Sequence, residues 1–222
     1  MRVQQFMLEK RRAMLYAGQN HCDTLLYLHG EPLPSPLLEQ LLENNNAGIV
    51  FLPDTAWNRE LSPFPAPKVF ARGEDFQGGA ALYLTELTDK IIPAIEGELP
   101  SPPVHRGIAG YSLAGLFAIY ALYHSQLFSR GASISGSLWF DGFLEDIMEK
   151  MIPQQVEKVY FSLGLREKHS RNPRMARVEQ CTDTLYRHLQ AHGVKTILEY
   201  HPGGHFQDIP QRIFAGLDWT LR

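Results

Sequence analysis

Short apolar runs alternate with amphipathic stretches along most of this chain. Apolar runs bounded by turn-forming residues are typical of buried strands, and apolar residues spaced three and four apart are typical of helices. The pattern predicts strands at Val3–Leu8, Arg12–Tyr16, Thr24–Leu28, Gly48–Leu52, Arg106–Ala109, Gly131–Ser135, Lys158–Leu163 and Thr196–Tyr200. It predicts helices at Leu37–Leu42, Leu82–Ile95, Leu113–Tyr123, Phe143–Met151, Met175–His192 and Ile213–Leu221.

This alternation indicates an α/β fold with a mostly parallel sheet covered by helices on both faces. The first two strands are joined by a short connection, so we expect them to form an antiparallel edge at the N-terminal side of the sheet. A chain of 222 residues falls in the range of a single domain, about 50–250 residues. We therefore predict one three-layer domain over residues 1–222, without a large inserted lid domain.

Residues 57–79 show neither periodicity. They are rich in residues that interrupt regular structure, namely Pro63, Pro65, Pro67, Gly73, Gly78 and Gly79. We predict a long loop here, and long loops in compact domains are usually functional.

The composition narrows the possible partners and compartments. The hydrophobic fraction of 44% is that of a folded protein, and a formal charge of −3 gives no reason to expect nucleic acid or an anionic membrane as a partner. Cys22 and Cys181 are expected to be reduced, buried thiols rather than a disulfide. Residues Met1–Phe6 lack the features of a signal peptide and no run is long enough to span a membrane, so we predict a cytoplasmic protein of undetermined oligomeric state.

The segment Gly110–Gly115 reads Gly-Tyr-Ser-Leu-Ala-Gly and lies between a predicted strand and an apolar helix. A nucleophile elbow holds its serine in a strained turn between these two elements and requires small residues two positions away on either side. Gly110 and Ala114 satisfy this requirement, although glycine is usual where Ala114 stands. We therefore predict Ser112 as a nucleophile; the alternative is a serine that only caps the helix.

A serine nucleophile needs a base, and in this type of site the chain order is serine, acid, histidine. His205 follows the last predicted strand in the sequence Gly203-Gly204-His205-Phe206, where two glycines leave the backbone free to orient the imidazole. We predict His205 as the base. His201 is the nearest rival and is expected to end the strand.

The acid is predicted from its position after a strand. Glu167 follows the strand that ends near Gly164 by three residues, which is a common place for the third member of such a triad. Asp141, after the preceding strand, and Asp208, near His205, are alternatives. Glu167 could also form only weak ion pairs with neighbouring basic residues at the surface.

A serine nucleophile that attacks a carbonyl group also requires an oxyanion hole, usually two backbone N–H groups directed at the developing negative charge. The residue after the nucleophile, Leu113, is expected to supply one. The loop after the third strand is expected to supply the other through Glu31, because Gly30 allows a close approach of the backbone.

With these residues, the chain resembles the esterase-D-like branch of the α/β-hydrolase superfamily, which includes enterochelin-type siderophore esterases. Further matching segments are Ser135–Trp139, Ser162–Gly164 and Gly203–Phe206, and the resemblance extends from Leu25 to the end of the chain. It implies an α/β-hydrolase sandwich that cleaves small-molecule carboxylic esters through an acyl-enzyme, without a metal or organic cofactor. Ala114 departs from the pattern of the family.

The sequence leaves several features open. Trp139 is either a wall of the substrate pocket or a core residue. A basic run could attract an anionic substrate such as a siderophore ester, or could form an ordinary solvated surface; it comprises Arg166, Lys168, Arg171, Arg174 and Arg177. A non-catalytic scaffold that binds a ligand or protein, and an acyltransferase or thioesterase, are the competing interpretations of the whole chain.

Overall fold

The computed structural model describes residues 1–9, 11–18, 22–43 and 45–222. The strands are β1 (Arg2–Leu8), β2 (Arg11–Ala17), β3 (Thr24–His29), β4 (Ala47–Leu52), β5 (Pro65–Ala66), β6 (Phe76–Gln77), β7 (His105–Tyr111), β8 (Arg130–Ile134), β9 (Lys158–Gly164) and β10 (Lys195–His201). The α-helices are α1 (Ser35–Glu43), α2 (Trp57–Glu60), α3 (Ala80–Glu86), α4 (Ile92–Glu96), α5 (Leu113–His124), α6 (Phe143–Met148), α7 (Pro173–Ala176), α8 (Val178–Ala191) and α9 (Ile209–Leu221).

The main sheet has the strand order β1-β2-β4-β3-β7-β8-β9-β10. β1 pairs antiparallel with β2, and β2 pairs antiparallel with β4, whereas β4, β3, β7, β8, β9 and β10 run parallel to one another. The predicted α/β class, the parallel sheet and its antiparallel N-terminal edge are therefore confirmed. Because the parallel strands end at the same edge, the loops after β3, β7, β8, β9 and β10 are neighbours in space.

Two apolar cores lie on the two faces of this sheet. Alternate residues of a strand point to opposite faces, so Leu25 and Tyr27 of β3 pack into one core while Leu26 and Leu28 pack into the other. Residues of α3, α4, α5, α6 and α8 cover the first face, and α1 and α9 cover the second. α5 is buried nearly all round, as its apolar sequence predicts. It packs against β7 and β8.

Three predicted elements have different bounds. The helix expected over Leu82–Ile95 begins at Ala80 and contains a π-helical turn, Leu87–Ile91, before α4. Pro93 explains this interruption, since proline has no N–H to donate and its ring crowds the preceding turn. The helix expected over Met175–His192 is divided into α7 and α8, and the helix expected from Phe143 ends at Met148.

The long loop predicted over residues 57–79 is wrong in part, since this segment contains α2 and the small antiparallel pair of β5 and β6. Gly78 has a φ of +72°, and a Cβ at this position would lie 2.5 Å from the Pro65 ring. Glycine is therefore required where the second strand of this pair leaves the hairpin. The segment as a whole folds over the carboxyl edge of the sheet.

Both cysteines are buried and unpaired, as predicted. Burial raises the pKa of the Cys22 and Cys181 thiols. No helix in the described part of the chain is long and apolar enough to cross a bilayer.

Candidate active site

Ser112 occupies a sharp bend between β7 and α5. β7 ends at Tyr111 and α5 begins at Leu113, and Ser112 between them has φ 59° and ψ −122°. A non-glycine residue with positive φ is strained, and such strain is found most often at functional sites. The bend carries Ser112 Oγ beyond the carboxyl edge of the sheet and into a cavity lined by Ser112 and Leu113.

The bend is tightly packed on one side. A Cβ added to Gly110 would lie 2.3 Å from the backbone carbon of Ala114 and 2.5 Å from its Cβ. The requirement for a small residue therefore falls on position 110, whereas the methyl group of Ala114 is buried without conflict. This accounts for the departure from the usual motif at position 114.

Ser112, His205 and Glu167 form a continuous hydrogen-bonded chain. Ser112 Oγ lies 3.0 Å from His205 Nε2. His205 Nδ1 lies 2.8 Å from Glu167 Oε2. The three residues follow β7, β9 and β10, so the parallel sheet brings together groups that lie far apart in the sequence.

Glu167 is 8% exposed, and its second oxygen has several donors. Oε1 accepts from the Gly164 N–H and the Ser135 hydroxyl at 2.7 Å each and from Arg212 Nη2 at 2.8 Å. Burial favours a raised pKa, but the hydrogen bonds from His205 and Arg212 outweigh it and lower the pKa of Glu167 to about 2. Glu167 is therefore ionised beside His205 at neutral pH.

Two other carboxylates and one other histidine were candidates in the sequence. Asp141 is exposed and pairs with Arg174 at 2.7 Å. Asp208 is exposed and precedes the first residue of α9 with a φ of 52°. His201 ends β10, and its Nε2 lies 3.5 Å from the Tyr160 hydroxyl. Glu167 and His205 form the hydrogen-bonded chain with Ser112. Asp141, Asp208 and His201 are not part of it.

The loop that carries His205 is fixed through its backbone. The Tyr111 hydroxyl donates to the carbonyl of His205 at 2.5 Å. Arg212 Nη1 donates to the carbonyl of Gly204 at 3.2 Å. Burial raises the pKa of Tyr111, so its hydroxyl stays a donor at neutral pH.

Sequence reasoning missed Arg212 and Ser137. Arg212 lies in the first turns of α9, which begins at Ile209, four residues earlier than predicted, with Pro210 in its first turn. Proline at the first helical positions is a helix-start signal that could have located this boundary. Ser137 is buried, and its Oγ lies 3.4 Å from Ser112 Oγ.

The two predicted oxyanion donors differ in what surrounds them. Leu113 is the first residue of α5 and lines the cavity, and the first N–H groups of a helix have no partner within the helix. Glu31 is exposed in the turn after β3 and does not line the described cavity. β3 lies beside β7, with His29 opposite Gly110, so Glu31 is near the bend, and its role stays a prediction.

Ser112 and His205 open into a cavity of about 280 Å³. A second cavity of about 330 Å³ shares with it the walls Val69, Phe70, Trp139, Met175 and His205. Trp139 is 6% exposed and stacks on Phe140, so it belongs both to the core and to the wall of the site.

The segment over residues 57–77 supplies one side of the first cavity, and residues 169–175 supply the facing side of the second. Hydrogen bonds join the two sides above the site. Arg174 Nη1 donates to the carbonyl of Pro67 at 2.8 Å, and Asn172 Nδ2 donates to the carbonyl of Val69 at 3.3 Å. The site is thus covered by chain segments that contribute none of the three hydrogen-bonded residues Ser112, His205 and Glu167.

The basic run from Arg166 to Arg177 divides into two groups. Lys168, Arg174 and Arg177 form ion pairs with Glu179, Asp141 and Glu145. Arg166 and Arg171 line the second cavity instead, and the first cavity adds Lys68 and Arg72. The described residues contain no group of three or more His, Cys, Asp or Glu side chains that could hold a metal ion.

Residues 9–208 match the family described as "Putative esterase". This match covers most of the chain, including all three residues of the Ser112 site. The chain belongs to this esterase family.

One curated protein is similar in sequence to part of this chain. The "Uncharacterized protein YbbA" of Bacillus subtilis (strain 168) is 30% identical over 137 residues, which are 60% of this chain and 55% of that protein. The match thus spans about half the length of that relative.

Solved structures share the fold at lower identity. An IroE-like serine hydrolase from Shewanella oneidensis has a TM-score of 0.78 at 17% identity, covering 99% of this chain and 80% of that chain. The siderophore hydrolase EstA from Aspergillus nidulans has a TM-score of 0.75 at 18% identity, covering 98% of this chain and 93% of that chain. The fold of this member of the esterase family is therefore that of the serine hydrolases it resembles.

Proposed function

We propose that this protein hydrolyses carboxylic esters through a covalent acyl-enzyme formed on Ser112. The observation that carries the proposal is the hydrogen-bonded chain from Ser112 Oγ through the His205 imidazole to the Glu167 carboxylate. Membership of the esterase family supports ester hydrolysis as the class of reaction.

In the first step His205 Nε2 takes the proton of Ser112, and Oγ attacks the carbonyl carbon of the ester. The carbonyl oxygen becomes an oxyanion, which accepts hydrogen bonds from the N–H groups of Leu113 and Glu31. When the tetrahedral intermediate collapses, the bond to the leaving oxygen breaks, and His205 returns the proton to the departing alcohol. The acyl group stays on Ser112.

In the second step a water molecule replaces the alcohol. His205 takes its proton, the water oxygen attacks the acyl carbon, and the bond to Ser112 Oγ breaks as the proton passes to it. Glu167 accepts the Nδ1–H of His205 throughout. It selects the tautomer with a free Nε2 and stabilises the imidazolium that forms in each step.

The surroundings of the site support small esters that carry negative charge, including siderophore-type esters and short-acyl esters. Arg166, Arg171, Lys68 and Arg72 line the two cavities and can attract an anionic group. EstA, which shares the fold, is a siderophore hydrolase. The aromatic side chains of Phe70 and Trp139 add apolar surface for an aromatic substituent.

Labelling with an organophosphonate tests the nucleophile directly. We expect intact-mass spectrometry to find one adduct on the wild-type protein and none on Ser112→Ala. Ser137→Ala removes the neighbouring hydroxyl and still forms the adduct, because Ser137 is not the nucleophile. His205→Ala lowers kcat about 1000-fold or more, whereas His201→Ala serves as the matched control at the end of β10. A folded wild-type protein that forms no adduct would contradict the proposal.

A further inference from the structure

Arg212 is a buried charged residue of α9. It contacts both the Glu167 carboxylate and the loop that carries His205. Arg212 is 1% exposed. Its Nη2 donates to Glu167 Oε1 at 2.8 Å and also contacts the Ser135 hydroxyl. Its Nη1 donates to the Gly204 carbonyl, directly before His205.

Burying a guanidinium is unfavourable unless a charge and hydrogen-bond acceptors compensate for it. Glu167 is the ion-pair partner of Arg212 among the described residues. The planar, forked guanidinium can satisfy a carboxylate and a carbonyl in fixed directions, which an ammonium group cannot do. The position therefore uses a property that is specific to arginine.

The contacts divide the Glu167 carboxylate into two halves. Oε1 accepts hydrogen bonds from Arg212, Ser135 and the Gly164 N–H, whereas His205 is the one hydrogen-bond partner of Oε2 among the described residues. With Oε1 held by three donors, the carboxylate cannot rotate away from the imidazole without losing all of them. Arg212 thus fixes the orientation of the acid and, through Gly204, the start of the loop that bears the base.

We propose that Arg212 is a positioning residue of this site. It holds the Glu167 carboxylate and the His205 loop in the orientation that keeps the imidazole hydrogen-bonded to Ser112. This inference rests on the proposed function, because it concerns the acid–base pair of the same reaction. Arg212 acts through Glu167 and His205 and does not touch the reacting atoms.

The same contacts give a pH signature. The titratable or charged groups that face Glu167 are His205 from the loop after β10, Arg212 from α9 and Tyr111 from β7. Without Arg212, burial is less fully offset and the pKa of Glu167 rises. The carboxylate is then protonated at a higher pH than in the wild type, and a titration of Glu167 itself reports this change.

The variants Arg212→Met and Arg212→Lys separate position from charge. We expect Arg212→Met to lower kcat about 10- to 100-fold, the usual effect of removing a group that orients a catalytic residue, with KM little changed. Arg212→Lys recovers part of the rate, since it restores the charge without the forked geometry. The matched control is Arg130→Met, because Arg130 donates to the carbonyls of Thr220 and Leu221 at the other end of the same helix.

A double-mutant cycle tests whether Arg212 acts through Glu167. In a Glu167→Gln background, the further loss of kcat caused by Arg212→Met should be several-fold smaller than the loss it causes in the wild type, because only the part that acts through the Gly204 carbonyl is left. This background also removes the charge that Arg212→Met would leave unpaired, so it keeps a folded variant available. Full additivity of the two losses overturns the proposal, as does an Arg212→Met enzyme with the wild-type kcat.

A measurement that does not require catalysis can test the role of Arg212 even if the proposed ester hydrolysis is wrong. The Glu167 carboxyl carbon can be titrated by ¹³C NMR, with its resonance assigned through Glu167→Gln. We expect the pKa of Glu167 to rise in Arg212→Met and to stay as in the wild type in Arg130→Met. If the wild type hydrolyses no ester, the proposed function is wrong while this titration still decides the role of Arg212. An unchanged Glu167 titration in a folded Arg212→Met protein overturns it.

Discussion

Glu167 shows how one buried group links the chemistry of the site to the stability of the fold. Its carboxylate gives up hydration and receives charge-assisted hydrogen bonds from His205 and Arg212 in exchange. The result is a pKa of about 2 in the folded protein, compared with an ordinary value of 4.5. A group whose pKa is lowered on folding stabilises the folded state only while it is ionised.

The stability contributed by Glu167 should therefore depend on pH. We expect it to be fully present above about pH 4.5 and to be lost as the pH falls towards about 2. Urea unfolding of the wild type and of Glu167→Gln measures it, and the difference in the free energy of unfolding should shrink as the pH is lowered from 7 to about 3. Glu98→Gln, at an exposed position, controls for the loss of one negative charge. A difference that stays constant with pH would count against the assigned ionisation.

At this scale the sequence predicts the residues that follow strands but not those that support them. Ser112, Glu167 and His205 each follow a strand that periodicity reveals, and the parallel sheet then brings their loops together. Arg212 carries no such signal, because an arginine in an amphipathic helix looks like a surface residue. Its burial is decided by the packing of α9 against β8 and β9, which is a tertiary property.

Among the elements, α2 depends on a charged contact with the sheet. Arg11 of β2 donates to Glu60 at 2.8 Å and to Glu86 at 2.9 Å, and Glu60 is buried. α2 also carries Trp57 and Asn58, which line the first cavity. The ion pair therefore connects the antiparallel edge of the sheet to a wall of the site.

We expect Arg11→Met to destabilise the fold by about 1–2 kcal/mol, because the buried Glu60 carboxylate loses two hydrogen bonds and keeps those from Arg59 and the Ala56 N–H. Arg12→Met is the matched control on the same strand. Arg12 pairs with Asp54 at 2.6 Å in a more exposed position, where ion pairs contribute little. Urea unfolding of the two variants compares them directly. Equal losses of stability in both would show that the burial of Glu60 does not matter.

The elements that the sequence predicts poorly are those whose form depends on their neighbours. The strands of the main sheet are recovered to within a few residues, since a buried strand has a distinct apolar run. β5 and β6 have only two residues each, too few for any periodicity to appear. The π-helical turn before Pro93 is likewise hidden within an apolar pattern that fits an ordinary helix.

The charge around the cavities is opposite in sign to the net charge of the whole molecule. The chain carries a formal charge of −3, yet basic residues outnumber acidic ones around the cavities beside Ser112, where Lys68, Arg72, Arg166 and Arg171 stand against Glu74 and Glu167. A local field of opposite sign to the total charge can concentrate an anionic substrate at the site while the rest of the surface repels it. This distribution underlies the proposed preference for anionic esters.

We expect kcat/KM for an anionic ester to fall about fivefold in Arg171→Ser, equivalent to about 1 kcal/mol at a solvent-exposed site. A neutral ester of the same size should be unaffected. Raising the salt concentration should weaken the preference of the wild type, because screening is stronger at high ionic strength. Arg2→Ser removes the same charge from β1 at the far edge of the sheet and is the control. Equal rates for both esters with the wild type would exclude charge as the basis of selection.

The covering of the site by residues 57–77 and 169–175 has a consequence for how this protein can diversify. These segments line the two cavities, whereas Ser112, Glu167 and His205 follow the ends of strands in the main sheet. Substitutions in the cover can change the size and charge of the accepted molecule while the strained bend and its partners stay intact. Descendants of one such chain can therefore acquire different substrates while keeping a single chemistry.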